Sequence, residues 1–258
     1  EGGRVINLTD KVNKAKALQV FVRFFKKNNK NVKTVAVGDN YNDLEMLRIN
    51  DIAPDFSAET TIGNITFYEY LNDSWGVLFS HPKDFTPVCT TELGYMAQIE
   101  GEFSKRNCKL IGLSVDSVGD HLIWKKDIEE TQGCSVNYPL IADEDLKIAK
   151  LYNMLPAAET NDGSRTAVTN ATVRSIFMID PQKKIRMMLT YPMTTGRNFD
   201  EIVRVLDSIQ LSSNNKVATP ANWKKNDEVI IIPAVSDDEA KKIFGDFKKV
   251  KPYLRYTK

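Results

Sequence analysis

With 258 residues the chain can build one large or two modest domains around a sizeable core, and its 35 basic and 34 acidic side chains leave a net charge of only +1. That balance speaks against steering toward nucleic acid or an acidic membrane surface. The three cysteines follow no regular spacing and include no Cys-x-x-Cys, which argues against a disulfide-stapled secreted fold and a thioredoxin-type dithiol, and for a reducing, cytoplasmic setting.

No apolar run approaches the roughly twenty residues of a membrane span, and no signal-peptide core is visible, so the chain reads as soluble. It opens on Glu1 rather than Met, which suits a fragment or a processed product and leaves open a targeting segment lost before it. Residues 1–47 read as an appendage. An amphipathic helix begins near Lys11 and carries Lys14, and the run Gly38-Asp39-Asn40-Tyr41-Asn42-Asp43 follows an apolar stretch. This part resembles the C-terminal portion of a haloacid-dehalogenase-type phosphatase. There a lysine steadies a phosphoryl aspartate and Gly-Asp-x-x-Asn-Asp helps hold magnesium. Lys14, Asp39 and Asp43 stand in the matching places, with Ala15 where glycine is usual. No Asp-x-Asp-x-Thr nucleophile precedes them, and the carboxylates alone cannot assemble a phosphoryl-transfer site. A fused remnant, a gene-model artefact or a docking appendage are the readings left. A lone strand–helix piece also lacks the sheet neighbours that would bury it.

From about Asn50 the chain alternates strands and helices, the pattern of a central sheet with helices on its faces. The expected strands cover 77–80, 109–115, 175–179 and 185–189, and the expected helices 86–106, 119–131, 144–152 and 198–211. In the last helix Phe199, Ile202, Val203, Leu206 and Ile209 form a core-facing stripe. A polar joint at 212–216 leads to a β-rich run at 228–233, a helix near 237–247 and the ending 253–257.

The most informative segment is Ser80-His81-Pro82-Lys83-Asp84-Phe85-Thr86-Pro87-Val88-Cys89-Thr90-Thr91-Glu92. It joins the strand at 77–80 to the helix that follows. Thr86 is the expected N-cap, with Pro87 at the first helical position. Cys89 then falls in the first turn, where free N–H groups and the helix dipole favour an anion, and thus the nucleophilic thiolate.

The pattern Pro-x3-Thr-x2-Cys, Pro82 to Cys89, resembles the peroxiredoxins, and the flanking residues match as well as the spacing. The resemblance implies a thioredoxin-like α/β fold over 48–213, with Cys89 attacking a peroxide O–O bond to leave a sulfenic acid. It implies that Thr86 hydrogen-bonds the peroxide, that Pro82 shields the sulfenate from solvent, and that Arg174 contacts both thiolate and peroxide. Read alone, Arg174 would be an ordinary strand-end cation. Glu92 and Arg197 match a supporting carboxylate–guanidinium pair. His81 stands in the Ser-His-Pro variant of the one-cysteine subgroup, and both a site role and a packing role stay open for it.

Residues 214–258 resemble the α+β extension of the one-cysteine members, which packs across a partner subunit, so a homodimer is implied. The Val-Cys-Pro context of a resolving cysteine does not occur. Cys108 opens an apolar strand and reads as a small buried residue, and Cys134 lies in a loop with no match to a resolving position. The implied mechanism therefore resolves Cys89 with an external thiol such as glutathione or a thioredoxin-like protein, needing no metal or other cofactor. The expected substrates are hydrogen peroxide and small organic or lipid hydroperoxides. Two other functions compete. A phospholipase reading would use Ser74, but Asn72 replaces a glycine of that motif and Tyr68 and Gln182 stand where its histidine and aspartate belong, so Ser74 reads as a turn residue. A redox sensor or chaperone-like oligomer would use the same Cys89 chemistry to signal through a partner.

Overall fold

The computed structural model describes residues 47–157 and 171–258; Lys14, Ala15, Asp39 and Asp43 lie outside that range. Its centre is a seven-stranded sheet in the order β2-β1-β5-β4-β3-β6-β7. The strands are β1 (Ser57–Thr60), β2 (Gly63–Thr66), β3 (Trp75–Ser80), β4 (Cys108–Ser114), β5 (Leu140–Ala142), β6 (Arg174–Ile179) and β7 (Ile185–Tyr191). β3 runs parallel to β4 and antiparallel to β6. Every residue of β3 and β6 is buried, which is why residues 77–79 and 176–179 read as apolar runs rather than alternating ones.

Helices cover both faces. On one side lie α2 (Pro87–Gln98), α4 (Val118–Gln132) and α6 (Phe199–Asn214), whose Leu93, Met96, Trp124, Ile128, Phe199, Ile202 and Leu206 pack with Val77, Phe79 and Ile176. On the other lie α1 (Phe67–Leu71) and α5 (Lys147–Leu151), packed on Leu78, Ile111 and Phe177. The one-sided stripe of α6 is therefore core packing, as its spacing predicts. This is the thioredoxin-like arrangement expected from the motif.

Two expected helices differ. The span 86–106 splits at Ile99 into α2 and a single-turn α3 (Glu100–Ser104). β-branched Ile99 and Gly101 both weaken a helix, so the joint bends and turns the chain back toward β4. The span 144–152 shrinks to α5 because Leu146 takes a left-handed φ of 60° and blocks an earlier start. In place of a longer helix, Asp143 accepts the Ile148 and Ala149 N–H groups at 2.9 and 2.7 Å. The hairpin β1–β2, helix α1 and strand β5 have too little apolar periodicity to be read from the sequence.

Residues beyond Asn214 form a second sheet, β10-β11-β9-β8, from β8 (Val217–Ala218), β9 (Val229–Ile231), β10 (Lys248–Lys251) and β11 (Leu254–Thr257), with α7 (Asp237–Phe244) beside it. Val217, Trp223 and Val229 pack against Leu211 at the end of α6, joining this module to the main sheet.

Candidate active site

β3 ends at Ser80, and the loop 81–86 carries the chain to α2, so the start of α2 lies at the C-terminal edge of the parallel strands. Thr86 occupies the N-cap position with extended φ and ψ of −114° and 143°, and Pro87 follows at the first helical position. The expected side-chain cap is absent. The Thr86 hydroxyl instead donates to Lys83 O at 2.9 Å, so its lone pairs face outward from that bond. Thr86 O accepts from the Thr90 N–H and hydroxyl at 3.0 and 2.9 Å.

Cys89 lies one turn into α2, fully buried and without a disulfide. Arg174, the first residue of β6, brings Nη1 to 3.4 Å from its sulfur. Four hydrogen bonds fix that guanidinium. Nη1 donates to the sulfur and to Glu92 Oε2 at 2.6 Å, while Nε and Nη2 donate to Met193 O at 2.9 and 2.7 Å. Glu92 is one turn beyond Cys89 on the same helix, and its other partner is Arg197. The Arg197 N–H and Nε reach Glu92 Oε1 at 2.8 and 2.9 Å, and Nη2 reaches Oε2 at 2.7 Å. Arg197 Nη1 also donates to the carbonyls of Ser80 and Ser175. Burial pushes the Glu92 carboxyl up, but hydrogen bonds and charge from Arg197, backed by Arg174, hold it below the ordinary carboxylate range.

Two buried guanidiniums thus share one buried carboxylate, which leaves one positive charge uncompensated next to the sulfur. The sulfur therefore faces the cationic side of this group. Pro82 is buried in the same loop. The structure therefore brings Cys89, Glu92, Arg174 and Arg197 into contact, with Pro82 and Thr86 in the loop that leads into α2. The sequence did not reveal the Met193 carbonyl, because a backbone acceptor in a loop carries no side-chain signal.

His81 is buried and bonded through Nε2 to Asp84 Oδ1 at 2.7 Å. The other oxygen of Asp84 takes His121 Nδ1 at 2.6 Å, and His121 Nε2 meets Ile141 O at 3.1 Å. The chain has only two histidines, and both converge on one aspartate. That count is the one signal in the sequence for Asp84 and His121. The three side chains have the mutual spacing of some metal sites, within 4.8 Å. Their short direct bonds describe a proton-linked group instead, since a metal bridging N and O at about 2.1 Å from each would displace those protons.

The other two cysteines sit in different surroundings. Cys108 pairs with Trp75 at the far end of β3, whereas Ser80 pairs with Leu113. Five residue steps at about 3.3 Å put these ends roughly 16 Å apart. Burial pushes the Cys108 thiol up to about 12, with Arg106 lowering it only in part. Cys134 is half-buried and donates its thiol to Gly94 O at 3.1 Å. Ser74 donates to Asn107 Oδ1 at 2.9 Å, and Tyr68 OH donates to Ala53 O at 2.5 Å, while Gln182 is exposed in the β6–β7 turn. Both histidines lie toward the opposite end of β3, so neither stands beside Ser74.

A buried cysteine at a helix start, clamped by an arginine from the neighbouring strand of a thioredoxin-like sheet, defines a class of thiol peroxidases. Residues 49–188 match the AhpC/TSA family, residues 208–246 match the C-terminal domain of 1-Cys peroxiredoxin, and residues 4–53 match the haloacid dehalogenase-like hydrolases. The chain is 55% identical to a 1-Cys peroxiredoxin of Dictyostelium discoideum over 82% of its own length and 85% of that protein's. It is 50% identical to peroxiredoxin-6 of Rattus norvegicus over 82% and 97%. It is also similar to the structure of a yeast mitochondrial 1-Cys peroxiredoxin, with a TM-score of 0.74, 54% identity, and coverage of 82% of this chain and 99% of that one. That structure is described as the basis of thiol resolution via glutathione/thioredoxin systems. The chain belongs to the one-cysteine peroxiredoxins and is a thiol-dependent peroxidase.

Proposed function

We propose that Cys89 is the nucleophile of this peroxidase and that the loop 81–86, Arg174 and Arg197 form its site. The thiolate sulfur attacks one peroxide oxygen, the S–O bond forms as the O–O bond breaks, and the leaving oxygen departs as water or an alcohol after taking a proton. The observation that carries this reading is the 3.4 Å contact between Arg174 Nη1 and Cys89 Sγ inside a buried group with one excess positive charge. Arg174 stabilises the thiolate and then the charge developing on oxygen. Thr86, its hydrogen committed to Lys83 O, accepts the peroxide O–H. Glu92 and Arg197 hold Arg174 in place, Pro82 limits water around the oxidised sulfur, and His81 lines the loop behind it.

Resolution by an external thiol follows. A first thiol displaces water from the sulfenic acid to give a mixed disulfide, and a second thiol releases Cys89 as its disulfide forms. Glutathione or a thioredoxin-like protein is the reductant we favour. The placement of Cys108, an apolar-site thiol at the far end of β3, supports an outside thiol. The C-terminal module supports a homodimer, to be tested by sedimentation, and the cysteine usage supports a cytoplasmic location, to be tested by imaging the tagged chain.

Mass spectrometry after one equivalent of peroxide tests the central reading. Oxygen is expected on Cys89 alone, with no intramolecular disulfide. Oxygen on Cys108 or Cys134, or a bridge between two cysteines, would overturn it. A sensor would be oxidised once per chain, whereas an enzyme turns over repeatedly when glutathione or thioredoxin is supplied.

A further inference from the structure

We propose that Asp84 and His121 are positioning residues of the peroxidase reaction: a buried carboxylate–imidazolium pair that holds the loop 81–86, and with it Pro82 and Thr86, in register against Cys89. The inference rests on Cys89 being the nucleophile.

The proton count comes from the partners. Ile141 O can only accept, so His121 Nε2 carries a hydrogen. The 2.6 Å contact between His121 Nδ1 and Asp84 Oδ2 needs one more proton, on either atom. For His121, burial works against the charged ring, but the hydrogen bond and charge of Asp84, the Ile141 carbonyl and Asp116 together raise its pKa. For Asp84, burial raises the carboxyl, and the bonds from His121 and His81 outweigh it and lower it. Both directions place the proton on the ring. Asp84 is then a carboxylate, and His81 Nε2 must donate to it. Burial, the largest influence on His81, lowers its pKa, and nearby His121 adds to this while Asp84 and Asp116 oppose it, so its ring is neutral.

The loop needs such an anchor. Phe85, between Asp84 and Thr86, has a φ of 54° and a half-exposed ring. A left-handed conformation costs a non-glycine residue about 1–2 kcal/mol, so it persists only where its neighbours are tied down. Asp84 supplies the ties: its N–H donates to Asp116 Oδ2 at 2.8 Å, and its two oxygens bind one histidine each. These bonds link the loop to the ends of β3 and β4, to α4 and to β5. Trp124 of α4 completes the frame, packing on His81 and Phe85 and donating to the hydroxyl of Thr90, the neighbour of Cys89.

The test separates placement of the loop from reactivity of the sulfur. Peroxide needs Thr86 in position, whereas a small alkylating reagent needs only the thiolate. In Asp84→Ala the rate of Cys89 oxidation by hydrogen peroxide is expected to fall about a hundredfold, as an ångström of misplacement can cost. Alkylation by iodoacetamide should stay within a few-fold. Asp84→Asn should restore most of the peroxide rate, because its amide can donate to a neutral His121 and its oxygen can still accept from His81. The alkaline fall in rate that accompanies deprotonation of His121 should vanish in that variant. An Asp84→Ala rate within twofold of the parent, parallel loss of both reactions, or failure of Asp84→Asn to rescue would overturn the proposal. Should Asp84→Ala not fold, the ring of His121 decides by nitrogen NMR of the unaltered protein. Both nitrogens protonated at neutral pH supports the pair, and a neutral ring overturns it. Peroxide consumption surviving in Cys89→Ser would instead strike the underlying assignment.

Discussion

The two ends of β3 make an instructive contrast. At the Ser80 end, Cys89 is as buried as any core residue, yet it faces a guanidinium in a group with excess positive charge. At the Trp75 end, Cys108 is also buried, but among Trp75, Phe103 and Leu110, and its thiol is pushed up to about 12. Burial alone therefore does not make two cysteine sites alike. The charge that burial brings beside the sulfur differs between them.

Replacing Arg174 attacks that contrast most directly. Arg174→Gln leaves Cys89 buried without its cation, making the two thiols alike, and the second-order rate with peroxide is expected to drop by about 10² to 10³-fold. Stopped-flow oxidation measures this, and a change below tenfold would mean that the arginine is not what distinguishes the two ends.

Glu92→Gln probes the same group through stability. It removes the one carboxylate between two buried guanidiniums, and breaking a buried pair of this kind costs about 3–5 kcal/mol, visible as a lower chemical-denaturation midpoint. The pH dependence has a definite sign. The Glu92 carboxyl is depressed on folding, so its stabilising contribution is complete above its ordinary value of 4.5 and is lost as pH falls through the lower folded value. The parent protein should lose stability on acidification more steeply than Glu92→Gln; equal slopes would exclude that linkage. The smallest effect belongs to Cys108→Ser, which should leave the peroxide rate within about twofold while lowering stability by about 1–3 kcal/mol, through burial of a hydroxyl among apolar side chains. A large loss of peroxide rate would give Cys108 a part in resolution.

Local chemistry was legible where it lay within a few residues. The strand–loop–helix pattern around Cys89, Pro87 at the helix start and the stripe of α6 could all be read, because period and start signals act over one or two turns. The span 86–106 reads as one helix for the same reason: its periodicity continues through Phe103, whereas the bend at Ile99 answers to where β4 must lie. Thr86 is legible as the N-cap residue, but its hydroxyl chooses between a helix N–H and the Lys83 carbonyl only once the loop has its shape.

By itself the amino-acid order determined that Cys89 opens a helix behind Thr86 and Pro87, and its resemblance to a family motif pointed to Arg174, because a helix start and a motif spacing are local statements. The tertiary structure alone decided that Arg174 and Arg197 share Glu92, that Met193 offers its carbonyl, and that His121 meets Asp84 across 37 residues. Those contacts depend on β3, β4, β5 and β6 lying side by side. Strand order is set by burying both faces of the sheet at once, a condition that belongs to the folded chain and not to any short stretch of it.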